Sequence, residues 1–515
     1  MRVEDQSEVI AFLADGTSYG HPDQPVERIR THISEIFLVG DRSLKLKRAV
    51  KLPYLDFSTR ELREAACRRE VELNRRTAPA LYLGVRQISR MDGRLVFGTE
   101  GEPVDSVVEM RRFDQDDLFD RMAERGELTP SLMTATAAII ARFHQEAEPS
   151  FTGSGAGAMA RVLDINETAL SAVGLFDPAK VEQLNAALRE SLANHAALLD
   201  ERLAAGKVRR CHGDLHLRNI CLLDSEPTLF DCLEFSEEMA TIDVAYDLAF
   251  LLMDLWHRGL PNLANLTMNR YLDATGDDDA APLLGLFMAI RAAIRAHVTA
   301  TQAMQDDDDG SLRETASRYF DLANRLIEKG YLSLVAIGGL SGSGKSTVAD
   351  AIAGYIGVPP GARVFESDRV RKRLFGLDPT MRLPPDAYRP EVSETVYGTV
   401  ADMAEKHLRK GISVVVNAVF DRRSDRQRIR HAAEMAHAPF IGLWLDVKPD
   451  VLKARVAGRV GSASDADLKV LSLQLEKWNA AEMDWRLIDG NRELARVVGD
   501  VLAVSGASAD PPRPA

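Results

Sequence analysis

The chain has 515 residues, 45% hydrophobic and 27% charged, average proportions for globular proteins; disorder and fibrous structure are excluded as overall descriptions, and the length predicts two or more separately cored domains. Lys+Arg 64 against Asp+Glu 77 gives a net charge of -13, which argues against a field that gathers nucleic acid non-specifically but leaves room for a local pocket that holds phosphates. Four cysteines, Cys67, Cys211, Cys221 and Cys232, with no CxxC pair, form neither a disulfide framework nor a zinc site by spacing, and read as reduced buried thiols.

Glu4, Asp5 and Glu8 stand where a signal peptide would need basic residues, and the apolar windows Ala249 to Trp256 and Leu283 to Val298 are interrupted by Asp254, Arg291 and Arg295, so neither export nor a membrane span is expected and the cytoplasm is the expected location. IFLVG, the turn Asp41-Arg42 and SLKLKRAV predict a hairpin, followed by a helix over Ser58 to Arg76 capped by Ser58 or Thr59. VFGTEGEPVDSVVEMRRF reads as further strand, and Gln115 to about Ala205 as mainly helix. ICLL and TLF, separated by Asp224-Ser225-Glu226-Pro227, predict a second hairpin. Helix resumes from Ile242 to Tyr331, broken by the acidic runs Gly276 to Asp279 and Asp306 to Gly310, read as solvated loops and not calcium sites; Ser311 to Lys329 is a helix closed by Gly330.

His212-Gly213-Asp214-Leu215-His216-Leu217-Arg218-Asn219 fits H-x-D-L-x-x-x-N, with Asp231 across the second hairpin. An antiparallel hairpin returns the chain to its start, so Asn219 and Asp231 lie side by side, the arrangement that grips Mg²⁺ on ATP, and Asp214 is placed to accept a proton from an attacking hydroxyl. HGDLHLRN and LFDCLE resemble the aminoglycoside phosphotransferase family within the protein-kinase-like fold, over roughly residues 30 to 325. The resemblance implies that Asp214 is catalytic, that Asn219 and Asp231 bind metal, that Lys45 pairs with ATP phosphates and that Glu70 holds Lys45. Lys47, on the same strand face, is the alternative to Lys45. His212 and His216 read as packed under the catalytic loop rather than as metal ligands, and Asp243 and Asp247 as its braces. The loop Thr31 to Ser34 lacks the G-x-G-x-x-G of kinases, which leaves Ser34 or nearby amides to cover phosphate.

Beyond residue 330 strands and helices alternate: strands Leu332 to Ile337, Arg363 to Glu366, Ile412 to Val416 and Phe440 to Leu445, with helices from Lys345 and after Asp368, Arg423 and Asp450, predicting a parallel sheet covered by helices. Gly339-Leu340-Ser341-Gly342-Ser343-Gly344-Lys345-Ser346 matches G-x-x-x-x-G-K-[ST] between a strand and a helix. Gly339, Ser341, Gly342, Ser343, Gly344 and Thr347 would cradle phosphates, Lys345 would reach the outer ones and the Ser346 hydroxyl would ligate Mg²⁺. From Leu332 to about Ala503 the chain resembles the P-loop small-molecule, nucleoside and polynucleotide 5′-hydroxyl kinases. That resemblance places Asp368 near the acceptor hydroxyl or the metal, offers Arg371 and Lys372 to an anionic acceptor, and makes Arg455 and Arg459 lid arginines, a solvated helix face being the alternative. Asn417 departs from the pattern, standing where such kinases place the acid of the magnesium shell.

The expected architecture is an α+β protein-kinase-like (aminoglycoside phosphotransferase) domain over residues 1–328, with a small β-rich lobe to about 113, then an α/β P-loop NTPase domain over 329–504 and a disordered tail over 505–515. The whole resembles bacterial proteins described as bifunctional phosphotransferase and ATP-binding (AAA-family ATPase) fusions. The expected function is a kinase using ATP and Mg²⁺ at two sites to phosphorylate hydroxyl groups of a small molecule, such as a sugar or aminoglycoside-like metabolite; no membrane partner is expected, and nucleic acid only for the P-loop domain. The alternatives are an ATP-binding regulatory protein with one or both sites inactive, and a toxin-type polynucleotide or nucleotide-sugar kinase.

Overall fold

The computed structural model describes residues 4–20, 22–52, 55–305, 310–328, 330–378, 381–458, 464–478 and 482–506. They pack into two compact units, Met1–Ala158 with Ala196–Leu251, and Met159–His195 with Leu252–Ala515. The acidic run at 306–309 and the tail at 507–515 lie outside the described residues, and Ser505 ends the helix Leu494–Ser505.

The first unit is built on a six-stranded antiparallel sheet in the order Glu27–Arg30, Ser34–Val39, Arg42–Lys47, Glu102–Arg111, Tyr82–Met91, Arg94–Phe97. Alternation along Arg42–Lys47 divides its side chains between the two faces. Leu44 and Leu46 pack with Val9 and Leu13 of the opening helix Ser7–Ala14, whereas Lys45 and Lys47 turn toward the helix Arg60–Asn74. Thr59 caps that helix by accepting from the Leu62 N–H. Further along, Ile220–Leu223 and Glu226–Leu229 form the second hairpin through a two-residue turn, tighter than the sequence suggests: Asp224 (φ 52°) and Ser225 (φ 69°) supply the paired positive φ of a type I′ turn, and Pro227 lies within the strand opposite Leu222.

In the second unit five parallel strands run in the order Arg363–Glu366, Val414–Asn417, Leu334–Gly338, Phe440–Asp446, Arg486–Asp489. Both faces are buried. Leu334, Ala336, Val414 and Val416 pack on one side with the helices Pro390–Arg409 and Arg423–Met435, and Val335, Ile337, Val415 and Leu443 on the other with Lys345–Ile352 and Leu494–Ser505. The alternation from the sequence is present, with an added edge strand, Arg486–Asp489, and the long helix Pro390–Arg409.

The helices Pro261–Thr275, Ala281–Gln305 and Ser311–Ile327 belong to this same unit. The window Leu283 to Val298, expected to fall short of a membrane span, lies within Asp278–Met304, which is by length and composition sufficient for one, and 72% of its apolar window is buried within the fold. A polar seam joins Pro261–Thr275 to the parallel sheet. Asn265 donates to the carbonyls of Pro360 and Ala362 at 3.0 and 2.9 Å, and the fully buried Arg363 meets Asp273 at 2.7 Å and Asp278 at 3.0 Å. Gly276 to Asp279 is therefore not a solvated loop: Asp278 is spent on His407 and on the buried Arg363 guanidinium, which together keep its carboxyl strongly acidic despite burial.

Candidate functional site

In the first unit a chain of alternating charges crosses from sheet to hairpin. Lys45 Nζ lies 2.9 Å from Glu70 Oε1 and 2.6 Å from Asp231 Oδ1. Lys47 is wholly buried and pairs with the second oxygen of Glu70 and with Glu234. Lys45 is thus the lysine that meets Asp231, and Lys47 is committed to a buried bridge. Burial alone would raise the Glu70 carboxyl, but the two ammonium groups hold it well below the usual carboxylate range; Glu234 is raised, by burial and by Glu70. Asp231 itself sits at φ 61°, and its N–H donates to the buried Tyr82 hydroxyl at 3.1 Å.

The hairpin brings the H-x-D motif to the same place. Phe230 N–H donates to the Asn219 carbonyl at 3.0 Å, so Asn219 and Asp231 leave the hairpin at one end. The Asn219 side chain, however, turns toward Asp214, its Nδ2 donating to the Asp214 carbonyl and to Oδ2, both at 2.9 Å. Asp247 accepts from the amides of His212 (3.1 Å) and Gly213 (2.9 Å) and lies 3.1 Å from His144 Nε2. His144, Cys211 and Asp247 are the one group of possible metal-ligating side chains among the described residues that lie within 4.8 Å of each other, and these bonds make it a brace of the loop. Asp243 is held by Arg202 at 2.8 Å. His212 Nε2 contacts the Phe230 carbonyl at 2.9 Å; burial opposes its charge, but Cys232, Asp247 and Asp214 carry its pKa up to about 9. His216 packs edge-on against Phe250 with Nε2 3.4 Å from Asp214. Gly213 has φ 83°, and a Cβ there would meet Leu233 and Ala240 at 3.0 and 3.1 Å.

Ser34 does not cover a phosphate site. It is 1% exposed at the start of a strand, and its N–H and carbonyl are both bonded to Thr31.

The second site lies at the C-terminal end of the parallel sheet, where helix N-termini and strand ends converge. Gly339, Gly342 and Gly344 have φ of 148°, 86° and 92°, a backbone closed to most residues. Lys345 Nζ donates to the Gly339 and Leu340 carbonyls at 2.7 and 2.9 Å. Ser346 Oγ donates to Glu366 Oε1 at 2.7 Å and reaches Asn417 Oδ1 at 3.5 Å. Gly342, Gly344, Lys345, Ser346, Glu366 and Asn417 line a cavity of about 260 Å³ that also takes in Ser341, Thr347 and Asp368. Burial, and next the Glu366 charge, raise the Asp368 carboxyl, against a hydrogen bond from Ser464. Arg455 donates to the Ser343 and Gly490 carbonyls at 3.4 and 3.2 Å, beside the loop; Arg459 lies outside the described residues.

Arg371 and Lys372 are not available to an acceptor as the sequence suggested. Lys372 is fully buried against Asp465 at 3.1 Å, and Arg371 donates to the Ala387 carbonyl at 2.7 Å under Tyr388. The sequence reading also missed Glu366, whose place at the end of a strand was the available signal; Glu234, three residues after Asp231; and Gln474, which accepts from the Ser341 amide at 2.9 Å.

Comparison with known proteins gives two family matches: "Phosphotransferase enzyme family" over residues 58–283 and "AAA domain" over residues 334–480. An uncharacterized protein of Mycobacterium tuberculosis is 31% identical over 484 residues, covering 92% of this chain and 93% of its own. An adenylyl-sulfate kinase of Myxococcus xanthus is 34% identical over 120 residues, 23% of this chain and 59% of that protein. Among solved structures, a choline/ethanolamine kinase family protein from Mesorhizobium loti aligns at 17% identity and TM-score 0.41, over 63% of this chain and 95% of its own.

Proposed function

The chain belongs to the family of that mycobacterial protein and joins a phosphotransferase-enzyme domain to a P-loop domain, and on that premise we propose a cytoplasmic, ATP-dependent kinase that uses two magnesium-assisted sites to phosphorylate hydroxyl groups of small molecules. The observation that carries this reading is the convergence of Lys45, Glu70 and Asp231 beside the Asp214 to Asn219 loop.

In the first site Asp214 takes the proton of the acceptor hydroxyl, and the Asn219 amide, donating to Oδ2, orients it. Glu70 anchors Lys45, which exchanges Asp231 for phosphate oxygens when nucleotide arrives. In the second site Lys345 leaves the Gly339 and Leu340 carbonyls for phosphate, Arg455 stands beside the loop, and Asp368, with its raised pKa, serves as the base. Oxygen donors suit a hard cation. Asn219 and Asp231 in the first site, and Ser346 in the second, would hold magnesium, which when bound neutralises and aligns the phosphates.

The cavity beside Asp368 favours a small acceptor over a nucleic-acid end. Lys345 is the one cation among its described lining residues, and Arg371 and Lys372 face inward to other partners.

The test is incubation of the full chain with γ-labelled ATP and pooled hydroxyl metabolites, wild type beside Asp214→Ala and Lys345→Ala. Labelled product should appear, with Asp214→Ala lowering transfer at the first site by about 10²- to 10⁴-fold. Transfer unchanged in both variants would overturn the assignment.

A further inference from the structure

The end of the parallel sheet carries its acid on a different strand from the one the sequence pattern singles out. Asn417, last residue of Val414–Asn417, is a neutral carboxamide; its register partner on the neighbouring parallel strand is Glu366. Both side chains come to the hydroxyl of Ser346, Glu366 Oε1 accepting at 2.7 Å and Asn417 Oδ1 lying at 3.5 Å. The other oxygen of Glu366 accepts from Arg369 Nε at 3.2 Å, which fixes the carboxylate with Oε1 facing the loop. The remaining acids nearby have other partners: Asp350 pairs with Arg270 at 3.1 Å, and Asp368, which lines the same cavity, is hydrogen-bonded to Ser464.

We propose that Glu366 supplies the carboxylate of the divalent-cation seat in the P-loop half, with the Ser346 hydroxyl and the Asn417 carboxamide completing an all-oxygen set; the charge absent from position 417 has moved one strand over. The proposal rests on the reading of this half as a nucleotide site. Its chemistry fits a small hard cation, which takes one or two carboxylates and keeps several waters. Arg369 offsets part of the negative charge, so without nucleotide the seat is weak, and phosphate oxygens complete it.

The experiment counts bound Mn²⁺ by electron paramagnetic resonance on the full chain with a non-hydrolysable ATP analogue. Lys345→Ala identifies the ions that belong to the P-loop half as those it removes. Glu366→Gln should weaken that class tenfold or more while leaving the remaining class unchanged and the metal-free affinity for the analogue no weaker than in wild type, since an anion beside the phosphates is removed. Glu366→Gln combined with Asn417→Asp should restore it, since the carboxylate then stands on the adjacent strand against the same hydroxyl; recovery in the double variant also certifies the fold of the single one. Mn²⁺ binding by Glu366→Gln equal to that of wild type would overturn the proposal, as would a folded double variant that stays weak. If Lys345→Ala removes no ion and no analogue, the nucleotide reading of this half fails instead.

Discussion

Lys45 and Lys47 grip opposite oxygens of a single carboxylate, that of Glu70. The two lysines look equivalent along the strand because both point to one face, yet their second partners differ: Asp231, 39% exposed at its side chain, for Lys45, and the buried Glu234 for Lys47. One ammonium therefore faces the site while the other is enclosed. Lys45→Met should lower transfer at the first site by about 10²-fold or more, with the smaller loss of stability because Glu70 keeps Lys47. Lys47→Met should destabilise the fold by about 3–5 kcal/mol, the cost of stranding buried carboxylates. Steady-state kinetics and urea unfolding of both variants separate the roles, and equal loss of stability in the two would contradict this division.

Arg363 makes a comparable prediction for the second unit. Its guanidinium is fully buried between Asp273 and Asp278 and also donates to Asn269 Oδ1 at 2.9 Å. Arg363→Met removes the cation and leaves two acids with reduced compensation, so a loss of about 3–5 kcal/mol is expected in chemical denaturation of the full chain. A fragment starting at residue 330 strips away Asn265, Asn269, Asp273 and Asp278 together. It should unfold at lower denaturant than the same segment in the whole protein, and an unchanged midpoint would show the seam to be dispensable.

What could be read in advance follows from how local each signal is. The HGDLHLRN and GLSGSGKS runs are contiguous, so their loops, the flanking hairpin and the strand-to-helix turn were legible at once. The choice between Lys45 and Lys47 depends on Glu234, far along the chain, and no local pattern carries it. Asp278 looked like part of a solvated acidic run because its partner, Arg363, opens a strand elsewhere. The edge strand Arg486–Asp489 buries only Ile488, so it shows no alternation to detect. The helix Pro390–Arg409 had a usable signal, Val396, Val400, Ala404 and Leu408 at helical spacing, all buried.

The raised pKa of Asp368 gives the second site a pH signature. Burial is the first cause and the Glu366 charge the second. If Asp368 is the base, transfer falls as pH drops through its pKa. Removing the Glu366 charge lowers that pKa, so in Glu366→Gln the acidic limb of the rate profile should move to lower pH, whatever happens to the maximum rate. A profile measured at saturating Mn²⁺ checks this; a limb that stays in place or moves to higher pH would exclude Asp368 as the titrating group.

His257 makes the second unit sensitive to mild acid. Its ring stacks on Tyr319 with centroids 3.9 Å apart and planes 15° from parallel, and burial lowers its pKa to about 4, with Asp254 opposing. The unfolded chain protonates this histidine near 6.5, the folded chain only near 4. Above pH 6.5 both states are neutral and the group contributes no slope. As pH falls from 6.5 toward 4 the unfolded state takes up a proton that the folded state refuses, so stability declines, by up to about 3 kcal/mol over the full window. His297, lowered to about 4 by burial, acts with the same sign. His257→Phe keeps an aromatic ring against Tyr319 and removes the titration. Urea midpoints at pH 7.5, 6.0 and 5.0 should therefore fall less steeply in the variant than in wild type. Parallel declines would mean that His257 takes up its proton as readily in the folded state as in the unfolded one.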